Sequence, residues 1–238
     1  MNSDAYTSEE IMIVEAARRI RDHTVCFVGI GLPSLAANLA RRTHAPDALL
    51  IYESGPIGAK PTVPPLSIGD GELAKTADFV VSVPEMFAYW LQGGRIDIGF
   101  LGAAQCDKRG NLNSTVIGDY EKPHTRLPGA GGAPEIATNV RDVFVLVRHS
   151  TRTLVESLDF VSSSGLNVRV VVTDLGVLEP DSTGELTLTA LHSGATTAQA
   201  LQATGWPLAA SGSLRRTDPP TGEELSVLRE FRSKTVSP

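Results

Sequence analysis

The chain has 238 residues, 42% hydrophobic and 20% charged, with 21 Lys plus Arg against 27 Asp plus Glu, for a formal net charge of −6. That length buries enough surface to fold without metal or disulfide staples, and the acidic balance argues against a generic nucleic-acid or anionic-membrane surface. Met1 to Ala5 lacks the basic and apolar regions of a signal peptide, no apolar run approaches a membrane span, and Cys26 and Cys106 read as buried thiols of a reducing compartment, so a soluble cytoplasmic protein is expected.

Thr7 and Glu10 form a capping box, behind which Ile11, Val14, Ala17 and Ile20 recur at helical spacing and predict an amphipathic first helix. Thr24 to Val28 reads as a buried strand, followed by the tight turn Gly29-Ile30-Gly31 and a helix from Pro33 to about Thr43. Ala48 to Tyr52 is a second continuous apolar strand, which completes a βαβ unit. Phe79 to Val83 is strand-like, Pro84 to Gln92 helical, and Ile96 to Leu101 strand-like. Gly102 to Pro134 is a polar, Gly-rich stretch of about thirty residues with little periodicity, and a loop that long in a compact domain is usually functional. Asp142 to Val147 and Val168 to Thr173 are further buried strands. Gly176 to Glu179 and Leu186 to Leu191 flank a turn at Asp181 to Gly184, which predicts a hairpin, and a second capping box at Thr221 and Glu224 opens a last helix to about Arg232. Strands apolar on both faces imply an open, mostly parallel sheet with helices on both faces, an α/β fold in a single domain over residues 1–238.

Three segments can carry chemistry. Gly29-Ile30-Gly31 is a strand–turn–helix corner whose free N–H groups attract anions, but Ser34 stands where a dinucleotide fingerprint needs a third glycine, so a structural turn is the alternative. Glu53, with Ser54 and Gly55, leaves the C-terminal end of a buried strand, the edge at which open α/β sheets build their sites. Its carboxylate reads as a nucleophile or a base of raised pKa, or else as a turn carboxylate bonded to nearby N–H groups. The run from Lys122 to Ala133 holds His124, Arg126, Gly129, Gly131 and Gly132. Its glycine N–H groups suit an oxyanion and Arg126 suits a carboxylate, against the alternative of a solvated loop. Cys106 lacks a base pattern. His23, His44, His149 and His192 show no metal spacing and read as surface or core residues, so no metal site is expected. Met86, Phe87 and Trp90 read as core, and Arg41-Arg42 as a solvated helix end.

Taken in order, these motifs resemble the β subunit of class I coenzyme A transferases, especially the glutaconate type. The matching residues are Val28 to Pro33, Glu53 to Gly55, Leu101 to Gln105, Gly110 to Thr115, Ile117 to Tyr120, Thr125-Arg126, Gly129 to Ala133 and Val172 to Asp174. Pro56 to Pro61 and Glu121 to Gly129 make the wording most similar to the β subunit of the actinobacterial cholesterol ring-cleaving hydrolase (IpdB) type. The resemblance implies a CoA-transferase β-subunit fold, an α2β2 heterotetramer with the α subunit of the same enzyme, and a CoA thioester as substrate with no separate cofactor. It implies hydrolytic carbon–carbon cleavage of a cyclohexenone carboxyl-CoA, the last steroid-derived ring. The alternative is a transferase of the glutaconate type with Glu53 as covalent nucleophile. By the same resemblance Glu53 and Arg126 are catalytic, while Gly29, Gly31, Ser54, Gly55, His124, Gly129, Gly131 and Gly132 bind substrate. Only Leu166 and Asn167 separate Gly165 from the strand at Val168, where glutaconate-type chains are longer. That departure favours the hydrolase by leaving room for a ring.

Overall fold

The computed structural model describes residues 6–234, so the reading of Met1 to Ala5 lies outside the described residues. They divide into two compact units. The first holds the described residues up to 100, with 139–141 and those from 220 on; the second holds 101–138 and 142–219.

The first unit opens with helix α1 (Ser8–Arg18), started by the Thr7–Glu10 capping box. Strand β1 (Val25–Phe27), helix α2 (Leu32–Arg42) and strand β2 (Leu49–Ile51) form the βαβ unit, with β1 parallel to β2. The chain then doubles back through β3 (Pro56–Ile57), passes through helix α3 (Gly71–Lys75), and adds β4 (Phe79–Val80). Helix α4 (Val83–Glu85) runs directly into a π-helical turn, Met86–Leu91, before strand β5 (Ile98–Leu101). The strand order is β5-β1-β2-β3-β4, parallel through β5, β1 and β2 and antiparallel beyond.

Helix α1 is more enclosed than an amphipathic surface helix. Met12, Ile13 and Ala16 are buried along with the predicted stripe, because α2 packs on it and the C-terminal helix, Gly222–Ser233, is tied to it by two forked ion pairs. Arg18 holds Glu224 through two bonds of 2.7 Å, and Arg229 holds Glu10 at 2.7 and 3.0 Å. The expected solvated end of α2 is also corrected. The Arg42 guanidinium lies 4.6 Å from the centre of the Phe231 ring and donates to the Pro61 carbonyl at 2.7 Å, while Arg41 is half-buried. Of the aromatic helix, Met86 is core, but Phe87 and Trp90 are only half-buried.

In the second unit the stretch expected to be a long loop holds two β-ribbons. Strand β6 (Gln105–Cys106) pairs with β7 (Leu112–Asn113), and β8 (Val116–Gly118) with β9 (Pro123–Arg126). They escaped a search for apolar periodicity because they are two to four residues long and polar. A buried amide pair, Asn113 donating to Gln105 at 2.7 Å, stitches the first ribbon. Helix α5 (Ala133–Asn139), strand β10 (Asp142–Leu146), strand β11 (Val168–Val172), the predicted hairpin β12 (Gly176–Pro180) and β13 (Leu186–Leu191), helix α6 (Thr197–Gln202) and strand β14 (Ala210–Arg216) follow. Their order is β10-β11-β12-β13-β14, with β10 parallel to β11 and the hairpin antiparallel. No helix among the described residues is long and apolar enough to cross a membrane.

Candidate active site

In the first unit β1 and β2 run parallel with Phe27 beside Ile51, so Gly29 and Glu53, each two residues further on, leave neighbouring strands at the same C-terminal edge. The Val28 N–H donates to the Ile51 carbonyl at 2.8 Å, which keeps the two chains paired to that edge. Gly31 sits at φ +79° as the N-cap of α2, a conformation L side chains rarely adopt. The glycine turn and the Glu53 turn are therefore brought together.

The turn that carries Glu53 is narrow. Tyr52 N–H donates to the Pro56 carbonyl at 3.0 Å and Gly55 N–H to the Tyr52 carbonyl at 2.9 Å. Gly55 has φ +116°, and a Cβ there would meet the Val81 carbonyl oxygen at 2.0 Å, so this position requires glycine. Gly55 is thus a backbone necessity, beyond any contact with substrate. The Ser54 hydroxyl donates to the Ile68 carbonyl, which commits it to the loop before α3.

Glu53 itself is half-buried, and its carboxylate has no hydrogen bond or ion pair among the described residues. The alternative of a turn carboxylate satisfied by nearby N–H groups is not what the structure contains. Burial alone raises its pKa above the ordinary carboxylate range. An unpartnered, partly desolvated carboxylate is more basic and more nucleophilic than one held by a cation.

In the second unit His124 and Arg126 lie on β9, and Gly129, Gly131 and Gly132 on the run into α5. Both side chains are exposed. Arg126 donates to the Tyr120 carbonyl at 2.7 Å and lies 4.6 Å from the centre of the Tyr120 ring, which in turn stacks on Phe160 at 5.4 Å. The guanidinium is therefore held by one face and one N–H, with its remaining donors outward. His124 packs over Gly118, where an added Cβ would meet its ring at 2.6 Å. The Gly129 N–H is spent on the Ser114 carbonyl at 2.9 Å, so Gly129 serves the backbone and offers no donor to an oxyanion. Those of Gly131 and Gly132 carry no hydrogen bond among the described residues, and they remain the donors of this run.

The residues between Gly165 and β11 are placed differently from the expectation drawn from their length. Asn167 donates to the Ala137 and Thr138 carbonyls at the C-terminal end of α5, whereas Gly131 and Gly132 precede its N-terminus. Leu166 lines a cavity of about 550 Å³ with Arg109, Arg169, Asp181 and Thr183, at the start of β11 and the hairpin turn. The short connection thus borders the end of β11 opposite to its carboxyl edge, and it makes no room beside the predicted site residues.

Reading residues singly missed Ser34, Tyr52, Asn38 and Tyr120. The available signal was Tyr52: a tyrosine closing an apolar strand needs a partner for its hydroxyl. Cys26 and Cys106 are buried, with burial pushing both thiols up, which suits inert structural cysteines. His149 and His192 are core residues, while His23 and His44 are exposed. Asp22, His23 and Asp47 form an exposed surface group with ligand atoms within 4.8 Å of one another, the one such grouping of donors among the described residues.

A model of the coenzyme A transferase family matches residues 10–202. The chain belongs to the coenzyme A transferase family. It is 53% identical over 249 residues to the β subunit of the 3-oxoadipate CoA-transferase of Pseudomonas knackmussii, covering 98% of this chain and 96% of that one. The cholesterol ring-cleaving hydrolase IpdB subunit of Mycobacterium tuberculosis is 27% identical over 253 residues, covering 94% and 93%. These identities reverse the expected order of likeness: a transferase subunit stands nearer than the hydrolase subunit. The crystal structure of glutaconate coenzyme A-transferase from Acidaminococcus fermentans superimposes with a TM-score of 0.90 at 30% identity, over 97% of this chain and 96% of that chain. The α/β fold, with its open sheet parallel through the buried strands, is the CoA-transferase fold.

Proposed function

We propose that the chain is the β subunit of a CoA-transferase that moves CoA between 3-oxoadipate, or a closely related 3-oxo dicarboxylic acid, and a second acid. The observation that carries this reading is Glu53: unpartnered, half-buried, at the carboxyl edge of β2, in a chain 53% identical to one subunit of a 3-oxoadipate CoA-transferase. Its carboxylate attacks the thioester carbonyl and displaces CoA thiolate, leaving an acyl–glutamyl anhydride. The thiolate then attacks the Glu53 carbonyl and releases the first acid, and the resulting glutamyl thioester passes CoA to the second acid through the reverse steps. Gly131 and Gly132 supply N–H donors for an oxyanion, and the outward face of Arg126 takes a substrate carboxylate.

The reading includes an α subunit that completes the enzyme as an α2β2 assembly, with coenzyme A entering only as part of the substrate and the complex working in the cytoplasm. In support, Phe79, Val80, Val83 and Tyr89 are each about half exposed, at 49, 54, 50 and 53%. They surround β4, whose neighbour Val81 is bonded to Gly55 of the Glu53 turn at 3.0 Å. An apolar surface of that kind belongs under a partner.

Incubating the co-expressed α/β complex with 3-oxoadipyl-CoA and a second carboxylic acid tests the reading. The expected result is CoA on the second acid and, after borohydride, a reduced Glu53 in the peptide mass spectrum. A product heavier by one water and still carrying CoA, with no modified Glu53, overturns it in favour of carbon–carbon hydrolysis.

A further inference from the structure

The Glu53 turn is joined to α2 by a buried polar contact that the catalytic reading does not use. Tyr52, the residue before Glu53, is fully buried, and so is Asn38, while Ser34 is 2% exposed. The Tyr52 hydroxyl lies 3.2 Å from the Ser34 hydroxyl and 3.5 Å from Asn38 Nδ2. Asn38 Nδ2 also donates to the Ser34 carbonyl at 2.9 Å, which holds the amide against the first turns of α2. Burying three polar side chains under a catalytic turn has a cost that an apolar core would avoid. A phenylalanine at position 52 would fill nearly the same space without it.

We infer that Tyr52, Ser34 and Asn38 form a clamp that sets the position of Glu53 for the reaction. The geometry gives the clamp a specific action. Tyr52 N–H closes the turn onto Pro56 and its carbonyl receives Gly55 N–H, so both backbone groups of Tyr52 define the turn while its hydroxyl anchors the residue to α2. Rotation about the Tyr52 backbone would move the Glu53 carboxylate directly, since the two residues are adjacent. Ser34 thereby gains a role for the Gly29-Ile30-Gly31 corner: α2 starts at Leu32, and its first turn presents a hydroxyl to the strand that carries the nucleophile. These are positioning residues, since none of them has to touch substrate. The inference rests on the proposed role of Glu53.

The test uses the co-expressed α/β complex and the variants Tyr52→Phe, Ser34→Ala, their combination, and Glu53→Gln. Thermal unfolding and gel filtration identify assembled complexes, and kcat and KM for the CoA thioester are then measured with the single-turnover rate of Glu53 thioester formation. Each single variant is expected to lower kcat and the single-turnover rate by about 10-fold with KM within about twofold, because a small misplacement costs rate and leaves remote CoA binding intact. The double variant is expected to be no slower than either single variant, since both break one contact. An assembled Tyr52→Phe or Ser34→Ala complex with kcat within twofold of the parent overturns the clamp, as does a double variant whose losses multiply. Should Tyr52→Phe fail to assemble, Ser34→Ala, a smaller change, decides alone. Full activity in Glu53→Gln would instead overturn the role of Glu53, and that outcome is read separately from the tyrosine and serine variants.

Discussion

Glu53 and Arg126 are held by opposite means. The Glu53 turn is fixed from beneath: Tyr52 is buried, Gly55 is pressed against the Val81 carbonyl, and the carboxylate is left without a partner. Arg126 is fixed from the side, on an exposed ribbon, by the ring and carbonyl of Tyr120. A reacting group needs fixed geometry and an unsatisfied charge, and burial supplies both. A binding cation needs reach and free donors, and an exposed hairpin supplies those. Substitutions beneath Glu53 should therefore act on rate, and substitutions around Arg126 on substrate affinity.

The largest effect is expected at Glu53. Glu53→Gln keeps shape and loses the nucleophile, so transfer by the assembled complex should fall by about 10³-fold or more while CoA-thioester binding persists, as initial rates and calorimetry would show. Gly55→Ala comes next. With φ +116° and no room for a Cβ, it should destabilise the fold by about 3 kcal/mol or more and abolish transfer, measurable by denaturant unfolding. Arg126→Ala should lower kcat/KM by about 10- to 100-fold, mainly through KM, and Tyr120→Ala should do so by less because the guanidinium survives. A kcat loss with unchanged KM in Arg126→Ala would erase the contrast between the two regions.

The smallest effect concerns the helices behind the Glu53 unit. Arg229 and the Thr7 backbone hold the Glu10 carboxyl down, from its ordinary 4.5 to about 2. The sign follows from linkage: a carboxyl depressed in the folded state contributes stability that is full above pH 4.5 and is lost as pH falls toward 2. Arg229 is half exposed, so solvent screening reduces the effect to about 1 kcal/mol. Arg229→Met should lower stability by that amount at neutral pH and flatten the acid limb of a stability–pH curve.

The βαβ unit, both terminal capping boxes and the β12–β13 hairpin were legible in the sequence because each is a local pattern of apolar spacing or turn chemistry. The ribbons of residues 105–126 were not, since their polar, two- to four-residue strands are held by side-chain partners such as Asn113 and Gln105. Strand β14 escaped for a similar reason: Ala210–Arg216 is mostly exposed and lacks an apolar run. Among the site residues, Glu53 was legible from its place after an apolar strand, whereas Ser54 and Gly129 looked like binding groups and turned out to spend their donors on the Ile68 and Ser114 carbonyls.

The sequence by itself determined the order of the buried strands, the starts of the first and last helices, and the carboxylate at the edge of β2, because these depend on residues within a few positions of one another. Only the tertiary structure decided which donors remain free, why Gly55 must be glycine, and that Tyr52 meets Ser34. Those facts depend on contacts between residues 18 to 26 positions apart in the chain, Ser34 with Tyr52 and Gly55 with Val81. Local composition carries no record of which distant group will occupy that space.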